Sequence, residues 1–208
     1  MPVRIKICGI TRYEDARIAA NLGVDALGFI FYPGSPRFIE PSSVSEITKM
    51  LPPFISKVGV FVDEELSVVE QIARESGIDT VQLHGSESPR YCDSVSLPVV
   101  KAFSVQPNSD LELLSQYNVQ GFLLDTWRDG QRGGTGVTFD WSIAVKACAR
   151  YKNVILAGGL GPSNIQEALD SVSPYAVDVN SGAEISPGVK NPLKLRDVVK
   201  IVKAWKGV

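Results

Sequence analysis

Short runs rich in Val, Ile and Leu alternate along this chain with stretches of helical periodicity. That alternation limits the possible folds more than any other feature, because it is the mark of βαβ units, in which helices connect parallel strands. The expected strands are Val3–Cys8, Val24–Phe31, Ser56–Val62, Thr80–Leu83, Val99–Phe103, Gly121–Asp125, Asn153–Ala157 and Ala176–Val179. The expected helices are Glu14–Leu22, Ser42–Leu51, Leu66–Glu75, Asp110–Gln116, Phe139–Ala149, Pro162–Asp170 and Pro192–Trp205, with a short, poorly capped one around Pro89–Ser94. Near-continuous apolar runs such as "KVGVFV" and "NVILA" imply strands buried on both faces. An open doubly wound sheet and a closed (β/α)8 barrel both fit this order, and the tally of eight strands favours the barrel. No Pro- or Gly-rich linker or shift in composition divides the 208 residues. The expectation is therefore α/β: residues 1–208 as a single-domain (β/α)8 TIM barrel with a parallel eight-stranded sheet.

Capping signals agree with this layout. Thr11, with Glu14 three residues later, reads as a capping box for the first helix. Pro162 suits a first helical turn, and Asn191 reads as the cap before Pro192.

A formal net charge of −2 gives no electrostatic reason to expect nucleic acid or an anionic membrane as partner. No apolar stretch approaches the roughly 20 residues that span a bilayer. The first residues alternate like a strand rather than forming a signal peptide, so a cytoplasmic location is expected. The three cysteines, Cys8, Cys92 and Cys148, are widely spaced and form neither a disulfide framework nor a zinc pattern. With His84 as the one histidine, a multi-histidine metal centre is excluded.

A barrel builds its site at the carboxyl ends of its strands. Cys8 ends the first strand, Arg37 follows the second in "YPGSPRF", Asp63 follows the third, and His84 follows the fourth in "QLHG". Asp125 ends the sixth, "AGGLG" follows the seventh, and the eighth runs through Asp178 into "DVNSGAE". Gly158 with Gly159, and Ser181 with Gly182, stand where such barrels hold phosphate, since glycine lets backbone N–H groups approach an anion. Neither pair matches a nucleotide-triphosphate or dinucleotide fingerprint. Arg37 on its short loop suits a carboxylate, which a guanidinium can grip bidentately. Cys8 and Asp125, three strands apart around the ring, would reach across a mouth sized for a small molecule. A thiolate base facing a protonated carboxyl acid serves proton transfer between neighbouring carbons, with His84 as an alternative base.

In order and approximate spacing, "KICGIT", "GFIFYPGSPRFI", "KVGVFV", "VQLHG", "LLDT", "GGTGVTFDW", "LAGGL" and "VDVNSGAE" with "SPGVKN" resemble phosphoribosylanthranilate isomerase of tryptophan biosynthesis, from Lys6 to about Asn191. The resemblance implies a barrel without cofactor or metal that performs an Amadori rearrangement. N-(5-phosphoribosyl)anthranilate becomes 1-(2-carboxyphenylamino)-1-deoxyribulose 5-phosphate. It places the general base on Cys8, the general acid on Asp125 and the carboxylate-binding arginine on Arg37. The phosphate-binding backbone falls on Gly158, Gly159, Ser181 and Gly182. His84 and Asp178 complete the expected substrate-binding set. One departure is Asn191, where the family usually has an acidic residue; both residue types cap a helix.

The chemistry makes demands of its own. Asp125 must hold a proton at neutral pH, which a partly apolar pocket favours. Cys8 must reach its thiolate, through Lys6 or through backbone dipoles. The loop Gly130–Gly136, with Arg132, Gly133, Gly134 and Thr135, is expected to close as a lid over the intermediate. The partner is then a small phosphorylated substrate, with no nucleic acid or membrane, and the chain is a monomer or a homodimer. Two neighbouring barrel enzymes are rivals. An indole-glycerol-phosphate synthase would want a lysine inside the barrel, for which Lys101 is the candidate. A histidine-pathway sugar isomerase would pair two aspartates, where this chain has Cys8. A non-catalytic sensor of phosphorylated ligands would need no thiol facing an acid.

Overall fold

The last long strand of the chain lies against the first. In the structure, a computed structural model that describes residues 2–105, 108–125 and 141–207, β8 (Ala176–Val179) pairs in parallel with β1 (Arg4–Ile7), from Arg4↔Ala176 to Ile7↔Val179. That pairing closes the sheet. Between them run β2 (Ala26–Ile30), β3 (Ser56–Phe61), β4 (Thr80–Leu83), β5 (Val99–Ser104), β6 (Gly121–Asp125) and β7 (Val154–Ala157). Each strand is hydrogen-bonded to its sequence neighbours in an eight-stranded barrel. The connecting helices are α1 (Tyr13–Leu22), α2 (Pro41–Lys49), α3 (Leu66–Ser76), α4 (Pro89–Ser94), α5 (Ser142–Arg150), α6 (Ile165–Val172) and α7 (Pro192–Ala204). A small hairpin, β9 (Glu184–Ser186) with β10 (Val189–Lys190), follows β8.

Period-2 alternation sorts the strand residues into two cores. Ile5, Ile7, Val81, Leu83, Val177 and Val179 turn outward and pack with the helices. Inside the barrel a smaller apolar cluster gathers Ala102, Leu123, Ile155, Ala157 and Ala176. Each fully buried Leu or Ile of this kind contributes about 1.5–3 kcal/mol relative to exposure. Val58 and Val60 face the interior as well, and three polar side chains, Lys6, Gln82 and Asp178, are buried there among the apolar ones.

Three local expectations are corrected. Thr11 does not cap α1; Arg12 holds the cap position without a side-chain bond, because the Thr11 hydroxyl donates to Gly188 O at 2.6 Å. Pro162 precedes its helix: α6 starts at Ile165, and the Asn164 side chain closes the preceding turn by accepting from Gly161 N. The segment after Asp110 winds as a 3-10 helix, Leu111–Gln116, rather than an α-helix. Asn191 does cap α7, accepting from Leu193 N and Lys194 N. Among the described residues no helix is long and apolar enough to cross a membrane.

Candidate active site

The inward side of the alternation carries Lys6 and then Cys8 on and after β1, Gln82 and His84 at β4, Asp125 at the end of β6, and Asp178 on β8. A cavity of about 400 Å3 opens among them at the carboxyl ends of the strands. Cys8, His84, Asp125 and Asp178 line it, together with Arg37, Gly158, Gly159 and Ser181. The fold thus brings together nearly every expected site residue that it describes. Gly182 is the exception. It stands behind the wall, where a Cβ would collide with Leu160 O, so its bareness lets the loops after β7 and β8 touch. Arg132, Gly133, Gly134 and Thr135 of the expected lid lie outside the described residues.

Cys8 is buried, and burial pushes its thiol above the ordinary value, with the Asp178 carboxylate adding to the rise. Lys6 and Lys190 pull the other way without prevailing. The expectation that Lys6 would favour the thiolate therefore holds in sign only. Lys6 Nζ donates to Asp178 Oδ2 at 2.8 Å, so much of its charge is already neutralised. Burial disfavours the Lys6 ammonium, but Asp178 and Cys8 outweigh that and hold its pKa above the ordinary value. Gly28 makes this arrangement possible. A Cβ there would meet Cys8 Sγ at 2.7 Å and Lys6 Cε at 3.1 Å.

His84 lies between Gln82 and Asp125. Gln82 Nε2 donates to His84 Nδ1 at 3.0 Å, which leaves the ring proton on Nε2, 3.8 Å from Asp125 Oδ2. Burial lowers the imidazole's pKa, with Asp125 opposing, so the ring is neutral at pH 7. The Asp178 Oδ1 atom is buried without a hydrogen-bond partner among the described residues, although it belongs to a residue on the cavity wall. An orphaned acceptor there is suited to a ligand hydroxyl.

Arg37 is held differently from expectation. Its Nε and Nη2 fork onto Glu184, at 2.9 and 2.7 Å. Nη1 has no hydrogen-bond partner among the described residues, so the guanidinium meets the cavity with one edge already engaged. Glu184, Lys190, Asn180 and Gln82 were not singled out in the sequence. "NSGAE" and "SPGVK" contain three of them, but nothing in the local spacing shows that they fold back onto Arg37. The Gly158 and Gly159 backbones adopt φ of 99° and 63°, which glycine tolerates and side-chain-bearing residues rarely do. The amides of Gly159 and Ser181 donate to no other described residue. They remain available to an anion.

Lys101 does not enter the barrel. It is buried on the outer side of β5, where its Nζ donates to Leu83 O, Gly85 O and Ala102 O and pairs with Glu87 at 3.1 Å. The synthase rival loses its candidate acid. Among the described residues no group of three His, Cys, Asp or Glu side chains could hold a metal ion.

The family described as N-(5'phosphoribosyl)anthranilate (PRA) isomerase matches residues 5–201. The chain belongs to this family. It is 47% identical to the N-(5'-phosphoribosyl)anthranilate isomerase of Pelobacter propionicus, over 97% of this chain and 96% of that one. The crystal structure of phosphoribosyl anthranilate isomerase from Thermotoga maritima superposes with a TM-score of 0.91 at 41% identity, covering 98% of this chain and 100% of the other. A second phosphoribosyl anthranilate isomerase structure, in complex with reduced 1-(o-carboxyphenylamino)-1-deoxyribulose 5-phosphate, gives 0.88 at 40% identity over 98% and 100%.

Proposed function

We propose that this cavity carries out the phosphoribosylanthranilate isomerase reaction of tryptophan biosynthesis by general acid–base chemistry, without a cofactor. The observation that carries the reading is that a thiol on the first strand and a carboxyl on the sixth line one cavity with Arg37 and the glycines after β7.

In this reading the substrate phosphate lies against Gly158, Gly159 and Ser181, with Gly182 setting the spacing of the two loops. The anthranilate carboxylate meets Arg37. Asp178 Oδ1 accepts from a sugar hydroxyl. Asp125, protonated, gives its proton to the ribose ring oxygen as the C1–O bond breaks, and the anthranilate nitrogen's lone pair forms a protonated imine at C1. That cation acidifies the C2 proton and also favours a thiolate nearby, against the burial that raises the Cys8 thiol. Cys8 as thiolate removes the C2 proton, and the enol-amine tautomerises to the ketone. His84, neutral with its Nε2 proton facing Asp125, positions the acid; its lowered pKa keeps it uncharged there.

The proposal is tested by mixing the chain with freshly generated phosphoribosylanthranilate and following the loss of its anthranilate fluorescence. A histidine-pathway sugar phosphate is assayed beside it. Turnover of the first substrate and none of the second is the expected result. Tight binding of the first without turnover would leave only a sensor of phosphorylated ligands.

The N-terminal end of the barrel supports a homodimer. Phe54, 97% exposed, projects beside a largely apolar cavity of about 360 Å3 that Val58, Val100 and Ile155 help to line. A protrusion and a hollow on one face complement their own copy about a two-fold axis. Light scattering should give a dimer that Phe54→Glu dissociates. The free thiols of Cys8, Cys92 and Cys148 support the reducing cytoplasm as its location.

A further inference from the structure

The arginine facing the substrate carboxylate poses a charge problem. Arg37 is bound through three contacts of 2.7–3.2 Å to Glu184, whose side chain is only 4% exposed. An arginine paired so closely with a carboxylate is electrically neutral as a unit. A neutral pair offers a second carboxylate little attraction, whatever hydrogen bonds Nη1 still has to give.

A third group changes the balance. Lys190 Nζ reaches Glu184 Oε1 at 2.8 Å, Asn180 Oδ1 at 3.0 Å and Asn180 O at 3.3 Å. Three oxygen acceptors around one nitrogen match the three donors of an ammonium, whereas an amine would turn its lone pair on one of them. Lys190 has a fully buried side chain, so its charge is little screened by solvent. Arg37 and Lys190 against Glu184 leave one net positive charge at the edge of the cavity. Of the other charged neighbours, Lys6 is paired with Asp178, and Asp15, which accepts from Lys190 N, is paired with Arg12. Lys194, whose Nζ donates to Glu184 O at 3.0 Å, is exposed, so solvent screens its charge where that of Lys190 is buried. The chain folds tightly to permit the cluster. A Cβ on Gly9 would meet Asn180 Oδ1 at 2.6 Å and Arg37 Cδ at 2.7 Å, which sets the cluster against the residue following Cys8.

We propose that Lys190, through Glu184, is the specificity-determining positioning residue of this site: it supplies the net positive charge by which Arg37 selects a substrate bearing a carboxylate. The inference rests on the proposed isomerase function and deepens it. Lys190 touches no substrate; it frees Arg37 from neutrality, while Glu184 holds the guanidinium in one plane.

The test compares kcat/KM for phosphoribosylanthranilate with that for the corresponding aniline compound, which lacks the carboxylate. Lys190→Met makes the cluster neutral and should lower the preference for the carboxylate substrate by about tenfold or more, chiefly through KM. Adding Glu184→Gln to Lys190→Met restores one positive charge and should recover most of the preference. A structural role for Lys190 would lower both substrates alike, and an unchanged preference in Lys190→Met would overturn the inference. Should Lys190→Met fail to fold, Glu184→Gln alone decides. Its extra positive charge should raise the preference, and an equal or smaller preference would refute the assignment. Turnover of neither substrate by the unaltered chain would instead refute the isomerase reading, and this inference with it.

Discussion

Lys6 Nζ sits 2.8 Å from Asp178 Oδ2 inside the barrel, two residues before Cys8 on the same side of β1. The cation that could favour the thiolate is thereby shared with a carboxylate that opposes it. Removing the carboxylate's charge should release Lys6 to Cys8. Asp178→Asn is expected to lower the apparent pKa of the Cys8 thiol, so that its alkylation by iodoacetamide, followed by peptide mass spectrometry, accelerates at a lower pH than in the unaltered chain. An unchanged or higher pH midpoint would show that burial alone governs the thiol.

His84 can be watched without interference, since it is the one histidine in the chain. Its imidazole resonance should titrate below the ordinary value of 6.5, because burial disfavours the charged ring. The linkage has a definite sign. A folded-state pKa below the unfolded one gives a stabilising contribution that is present above the unfolded value and lost as pH falls through the folded one. Urea midpoints should therefore decline on acidification below about pH 6.5, and less so in His84→Gln.

Much of this was legible from the chain because it depends on short range. Short runs rich in Val, Ile and Leu between helical stretches marked the strands, and the position of Cys8, His84 and Asp125 just at or beyond strand ends placed them at one mouth. What escaped depends on long range. Glu184 meets Arg37 across 147 positions, and Lys6 meets Asp178 across 172. Thr11 carries a sound capping pattern, yet it is claimed by Gly188 from the far end of the chain. Lys101 shows the same effect. Its strand was expected, but one residue of register decides whether it faces the cavity or the helices, and its partner Glu87 lies in a loop with no pattern of its own.

That outward ion pair has a cost if broken. Lys101 and Glu87 both have side chains 2% exposed, and Glu87 also accepts from Asp63 N and Gly85 N. Lys101→Met leaves a buried carboxylate without its cation. A loss of about 3–5 kcal/mol in urea unfolding at pH 7 is expected. A loss under about 1 kcal/mol, the range of an exposed pair, would mean that the backbone donors alone satisfy Glu87.

Gly182 tests the phosphate loops. Adding a methyl group drives a Cβ onto Leu160 O and against Gly161 Cα, which is backbone and cannot swing aside. Gly182→Ala should push the loops after β7 and β8 apart, raise KM for the phosphorylated substrate by about tenfold or more, and destabilise the fold by about 1–3 kcal/mol. Inorganic phosphate as a competitive inhibitor reads the same defect. Unchanged inhibition would remove Gly182 from that role.

The most direct test of the acid–base assignment is single-turnover fluorescence with Cys8→Ala and Asp125→Asn, each compared with the unaltered chain on phosphoribosylanthranilate. Each substitution should slow the chemical step by about a hundredfold or more, while affinity for the reduced product analogue is kept. Either variant turning over at the unaltered rate would contradict the role given to that residue.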